Sequence, residues 1–237
     1  MTLIGPLRAD IRHLNDMKKY SIIICLFCLF TLESTGFSVD TVAIDHAIEK
    51  SFAYLATNPD SAIIISTEQV PKTGDDKVRK ARLFWIIGIA HQQNGNIEEA
   101  FKAEKEGLAI INGLNSKLES RITAQLAGLY IGQDDLTNAI NFYEQALDLA
   151  IKAKEEYMIA YIQKELGRLY YSNENLDNAI FYGEKAYEYY KDNKIERELI
   201  DVLGILGLSW LEIDSASALA KKYLIEAYDL SIAQNDS

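Results

Sequence analysis

Cysteine is almost missing from this chain. Its 237 residues hold two, Cys25 and Cys28, and both lie in one apolar run near the start. Past residue 38 there is therefore no disulfide framework, no thiol nucleophile and no Cys-based metal site. Proline is nearly as scarce, with three residues, so few positions interrupt a helix. Basic side chains are outnumbered, 24 Lys and Arg against 35 Asp and Glu, for a formal net charge of -11. An acidic chain without a basic stripe lacks the means to neutralise phosphates, which argues against nucleic acid as a partner. The same balance disfavours docking on an anionic membrane surface. What is abundant is apolar: 49% hydrophobic and 25% charged residues, the mix of a folded globular protein.

The first 38 residues stand apart. Lys18 and Lys19 precede an apolar core from Ser21 to Leu32, and small residues follow at Ser34, Gly36 and Ser38. This three-part pattern predicts a secretory signal peptide, with Met17 as the true start. Neither cysteine follows the small residues that lipidation needs. The mature protein is thus expected to be exported, most simply to the periplasm, and not inserted in the membrane. The rival reading is an uncleaved leader that anchors it to the inner membrane. Without the leader the chain keeps 20 basic and 32 acidic side chains, a net -12, so the acidity belongs to residues 39–237.

Those residues repeat themselves. "FWIIGIAHQQNGNIEEAFKAEKEGLAI", "TAQLAGLYIGQDDLTNAINFYEQALDL", "QKELGRLYYSNENLDNAIFYGEKAYEY" and "LGILGLSWLEIDSASALAKKYLIEAYDL" begin at Phe84, Thr123, Gln163 and Leu203. A small residue recurs at Gly88, Ala127, Gly167 and Gly207, with a ring three residues later at His91, Tyr130, Tyr170 and Trp210. A second small position follows at Ala100, Ala139, Ala179 and Ala220. Apolar side chains at three- and four-residue steps predict two helices per unit, joined by polar turns such as "QNGN", "GQDD" and "SNEN". One such hairpin cannot bury its own apolar face, so neighbours must stack.

The large-x2-Leu-small-x2-aromatic pattern, followed by Ala-x3-aromatic-x2-Ala, resembles the tetratricopeptide repeat; Leu126 to Leu147 fits it best. The period of about 40 exceeds the common 34 and overlaps that of HEAT-type repeats. The resemblance implies an all-α, right-handed tetratricopeptide-like solenoid of antiparallel helix pairs, about ten helices in all. Full repeats are expected at about 80–113, 119–153, 159–192 and 199–234, after a degenerate unit at 41–74 whose first helix is short. Asn58-Pro59-Asp60-Ser61 reads there as a helix cap and start. The "NPDSA" opener is similar to exported tetratricopeptide proteins of the Bacteroidetes type. Some of these form the sensory array of a membrane-spanning regulator, which gives the alternative function, shortened here or acting with a separate partner.

Few residues offer chemistry. His46 and His91 are the histidines beyond the leader, and neither sits with carboxylates at metal-ligand spacing. His91 occupies a ring position of the repeat and is expected in the core. No nucleophile motif or phosphate-binding glycine loop is present. The expectation is a protein that is not an enzyme, with no catalytic residues, cofactor or metal, acting as a scaffold for a protein or peptide segment. The informative residues are then those on the inner face of each first helix. In the first full repeat these are Arg82, Trp85, Ile89 and Gln92; the second offers Arg121, and the third Tyr161, Lys164, Arg168 and Tyr171. Trp85 and Ile89 form an apolar patch. Lys164 and Arg168, framed by Tyr161 and Tyr171, form a basic step suited to a carboxylate, against the plain reading of a solvated helix face. At the C-terminal end Tyr223, Leu224, Ala227 and Leu230 are expected to be partly uncovered, which suggests self-association or a docked partner.

Overall fold

The computed structural model describes residues 39–235; the signal-like features at Lys18, Lys19, Ser21 to Leu32, Cys25 and Cys28 lie outside them. Contacts divide the chain into two compact units, Met1–Ala47 and Ile48–Ser237. Of the first, the described residues are the opening turns of α1. The elements in order are α1 (Val39–Leu55), α2 (Pro59–Gln69), a 3-10 turn (Val70–Thr73), α3 (Lys77–Gln93), α4 (Ile97–Ile111), α5 (Ser116–Ile131), α6 (Leu136–Ala153), α7 (Glu156–Ser172), α8 (Leu176–Asp192), α9 (Glu196–Ile213) and α10 (Ala218–Asn235). There are ten α-helices and no strand among the described residues.

Local chemistry sets the helix ends. Side-chain oxygens of Asn58, Asp76, Asn115, Asp135 and Asn175 accept the backbone N–H three residues on, at 3.0 to 3.2 Å. Each satisfies a donor that the helix itself leaves open. Between helices the chain reverses through one left-handed residue: Gly95, Asp134 and Glu174 inside pairs, and Lys154 and Lys194 between pairs. The same turn therefore serves both kinds of connection. In the first pair it is α2 that is short, at 11 residues, while α1 has 17. The expectation of a short first helix is corrected: Pro71 and the 3-10 turn end the second helix early.

From α2 onward, each helix packs on the next, and first helices also touch one another, α3 with α5 and α7 with α9. Among the described residues no two second helices meet as closely, so the first helices line the inner side of the array. The core is a series of clusters set between successive helices. Ala139, Tyr143 and Ala146 of α6 pack with Ala127 of α5 and Ile162 and Leu166 of α7. Ala186 and Tyr190 of α8 pack with Val202, Leu203 and Leu206 of α9 and Tyr223 of α10. Each buried Leu or Ile contributes about 1.5–3 kcal/mol, and no single pair could gather enough of them. The tyrosines of the repeat pattern pack as expected; Tyr170 and Tyr182, for example, stack with centroids 5.6 Å apart.

Of the four residues expected to be partly uncovered in the last pair, Leu224, Ala227 and Leu230 are half-buried and Tyr223 alone is covered. Tyr223 is buried, Ala227 and Leu230 pack on the core, and Leu224 fills the space above Gly207. They lie on the face of α10 turned to α9; its opposite face carries Ile225, Tyr228 and Ile232. Among the described residues no helix is long and apolar enough to cross a membrane.

Candidate functional site

The inner face is tied together by side chains that reach from one first helix to the next. Gln125 of α5 donates to Gln92 of α3, and Arg121 of α5 meets Glu155, at the start of α7, at 3.3 Å. Lys164 of α7 pairs with Glu198 of α9, and Tyr171 donates to Glu212 at 2.6 Å. These partners lie 33 to 41 residues apart, so the ladder repeats with the fold.

Of the six candidate residues, Trp85 and Ile89 stand one turn apart on α3, both half-buried. Tyr161, Lys164, Arg168 and Tyr171 stand on α7, with α5 between the two groups. The α7 group is a balanced network. Lys164 is buried, with Glu165 at 3.5 Å and Asp201 at 3.8 Å in addition to Glu198, and its Nζ lies 5.5 Å from the Tyr161 ring centroid. Burial presses its pKa down, but the Glu198 hydrogen bond and the charges of Glu165, Glu198 and Asp201 outweigh that and hold it above its ordinary value. Arg168 forks onto Glu165 at 2.7 and 3.1 Å and stays half-exposed. Two cations thus face four carboxylates, Glu165, Glu198, Asp201 and Glu212. This end of the inner face is acidic, and its cations are already engaged.

The α3 group is different in kind. A cavity of about 280 Å³ opens beside it, lined by Phe52, Arg82, Trp85, Asn115, Lys117, Leu118 and Arg121. Phe52 meets the Trp85 ring edge-on at 5.3 Å, and the Arg121 guanidinium lies 5.9 Å from the same ring. Lys117 and Arg121 share Glu155, at 2.6 and 3.3 Å, and these bonds hold that carboxyl below its usual range, the Lys117 hydrogen bond contributing most. Arg82 is exposed and has no ion-pair partner among the described residues. The Trp85 indole N–H is buried with no acceptor among the described residues. Three cations, one carboxylate and an apolar floor meet here. Arg82 and Arg121 are readable from helical spacing; Phe52, Lys117 and Leu118 come from the preceding and following repeats, and no local pattern marks them.

His91 is half-buried and lines a second cavity of about 360 Å³ with Val70, Pro71, Phe84, Ile87 and Ala103. Thr67, Glu99, Lys102 and Glu106 complete the lining, so His91 stands at the border of the core and not inside it. Among the described residues, no three His, Cys, Asp or Glu side chains gather as metal ligands would.

Comparison with known proteins agrees with this architecture. A family model described as tetratricopeptide repeat matches residues 119–192, which correspond to α5 through α8. No curated protein matches the chain in sequence. Among solved structures, BtubC (BKLC) from P. vanneervenii superposes with a TM-score of 0.67 at 16% identity, covering 84% of this chain and 94% of that one. A putative kinesin light chain from Podosopora anserina, with nearly identical tetratricopeptide-like repeats, gives 0.64 at 17% identity over 82% and 98%. The apo form of RapI gives 0.68 at 16% identity over 86% and 57%. At such identities the likeness establishes the fold: an all-α, tetratricopeptide-like solenoid. Repeats of this fold generally mediate protein–protein interaction.

Proposed function

We propose that the array binds a segment of another polypeptide along the inner face of its first helices, without a chemical step, and that it does so as an exported protein. The observation that carries this reading is the α3–α5 cavity, where Arg82, with no ion-pair partner among the described residues, and Arg121 flank an apolar floor. A carboxylate of the partner would lie between Arg82 and Arg121. An apolar side chain beside that carboxylate would cover Phe52, Trp85 and Leu118. Farther along, Tyr161, Arg168 and Tyr171 present hydroxyls and a guanidinium in an acidic setting, suited to donors on the same segment. Lys164 keeps α7 and α9 in register and contributes shape. The face is preformed, so binding orders the segment and leaves the array unchanged. Export rests on the leader pattern of Lys18, Lys19 and Ser21 to Leu32.

The test is a pull-down from the native envelope with three forms: wild type, Arg82→Glu with Trp85→Ala, and Lys164→Glu with Arg168→Glu. The α3 variant should lose the wild-type partner while keeping the helical spectrum. Equal recovery of one partner by all three forms would remove the inner face from the account.

A further inference from the structure

The face of α10 that points away from α9 is unlike any other surface of the array. Seven of the thirteen exposed large apolar side chains among the described residues belong to the last helix pair: Leu208, Leu211, Ile213, Leu219, Ile225, Tyr228 and Ile232. The other six are spread singly over earlier helices and one turn. On α10, Ile225, Tyr228 and Ile232 remain 48%, 64% and 41% exposed and share a stripe by helical spacing, and no described residue packs over it. A stripe of this kind in water marks an interaction surface.

Its charges identify the occupant. Lys221 and Lys222 lie one turn before Ile225, and Asp229 one turn after it. None of the three has a carboxylate or ammonium partner among the described residues; Lys222 rests against the Tyr223 ring, 5.6 Å from its centroid. Glu226, at the margin, is already met by Lys191 at 4.0 Å. The stripe is thus positive at one end, apolar in the middle and negative at the other. A second α10 laid antiparallel on the first, with the two-fold axis through Ile225, sets each end against its opposite. At helical spacing, Lys222 then faces the second copy's Asp229, Lys221 faces its Tyr228, the two Ile225 side chains meet, and Ala218 lies over Ile232.

We propose that α10 is a homodimer face, and that the protein associates with a second copy of itself through this antiparallel pairing. The chain as a whole carries -11 and repels its own kind, but this stripe is locally balanced, so contact is least opposed there. A single helix face buries on the order of 1,000 Å² in total, the lower range of specific interfaces, so the dimer is reversible. The inner face of the array is untouched, and the proposal stands whether or not a peptide binds there.

The test is sedimentation velocity over a concentration series on the full chain. Wild type should move from monomer to dimer with rising concentration, and Ile225→Asp should stay monomeric with an unchanged helical spectrum. Lys222→Asp alone and Asp229→Lys alone should each weaken association roughly tenfold, and the double exchange Lys222→Asp with Asp229→Lys should restore it. A wild type that remains monomeric throughout would overturn the proposal. So would association that survives Ile225→Asp, or a double exchange no better than the single reversals.

Discussion

The carboxyl group of Glu104 is packed against Gly88, where α4 crosses α3. A Cβ at position 88 would collide with the Glu104 side chain, and both carboxyl oxygens are buried without a hydrogen-bond partner among the described residues. The glycine makes the room, and the glutamate fills it where Tyr143 and Leu224 stand in the corresponding positions of later repeats. Burial pushes the Glu104 carboxyl well above the usual carboxylate range.

Stability follows from that displacement. Below the unfolded value of about 4.3 both states hold the proton and the group is neutral in its effect. As pH rises above it, the unfolded chain releases the proton and the folded chain keeps it, so stability falls until the folded pKa is passed. Glu104→Gln should flatten this slope between pH 4 and pH 8. Glu104→Leu should raise stability at pH 8 by about 1–3 kcal/mol. Thermal unfolding at two pH values checks both, and an unchanged slope in Glu104→Gln would place the titration elsewhere.

The closest helix crossing predicts a contrast between glycines. A Cβ at Gly167 would lie 3.2 Å from the Gly183 nitrogen and 3.3 Å from the Ala179 oxygen, both backbone atoms that cannot turn aside. At Gly128 the nearest atom would be the Tyr143 hydroxyl, at 3.9 Å. Gly167→Ala should therefore cost about 1–3 kcal/mol, and Gly128→Ala should gain up to about 1 kcal/mol from helix propensity. Urea denaturation of the two variants reads the difference directly.

The left-handed turns predict gains. Lys154, Glu174 and Lys194 hold φ near +57°, where a side chain is unfavourable and glycine is at ease. Replacing each with Gly should add about 0.5–1 kcal/mol, whereas Gly95→Ala, at φ 77°, should lose about 1 kcal/mol. Because the three sites are well separated, the gains should add in a triple variant. Midpoints of chemical denaturation decide it.

Lys164 predicts a loss that salt moderates. Removing it by Lys164→Ala leaves Glu198 and Asp201 without a cation beside Glu165, which Arg168 alone then holds, at a cost of about 2–4 kcal/mol. The paired variant Lys164→Met with Glu198→Met should recover most of this by packing. If Lys164→Ala were neutral at low salt, the network would be no more than a surface pairing.

How much of this was open to sequence reading depends on the reach of each feature. Gly167, Tyr170, Ala179 and Ala186 recur at a fixed step because every helix pair solves the same packing problem, so the helix pairs and the inner face were legible. The short helix was assigned to the wrong side of Asn58, since Pro71 and the 3-10 turn act only when the chain meets α3. The turns at Lys154 and Lys194 carried no Gly or Asn at the left-handed position and left no local mark. The engagement of Lys164 by Glu198 and of Tyr171 by Glu212 rests on residues a full repeat away. For the same reason the freedom of Arg82, next to an engaged Arg121, emerges only from the assembled array.

The proposed partner lies on the inner face, at the α3–α5 cavity. Site-specific photo-crosslinking in the native envelope measures this most directly, with a benzophenone side chain placed at Ile89 on α3 or at the exposed Gln145 on the outer helix α6. The account predicts a discrete adduct from position 89, abolished by Arg82→Glu, and none from position 145. An adduct from position 145 alone, or one from position 89 that is indifferent to Arg82, would contradict it.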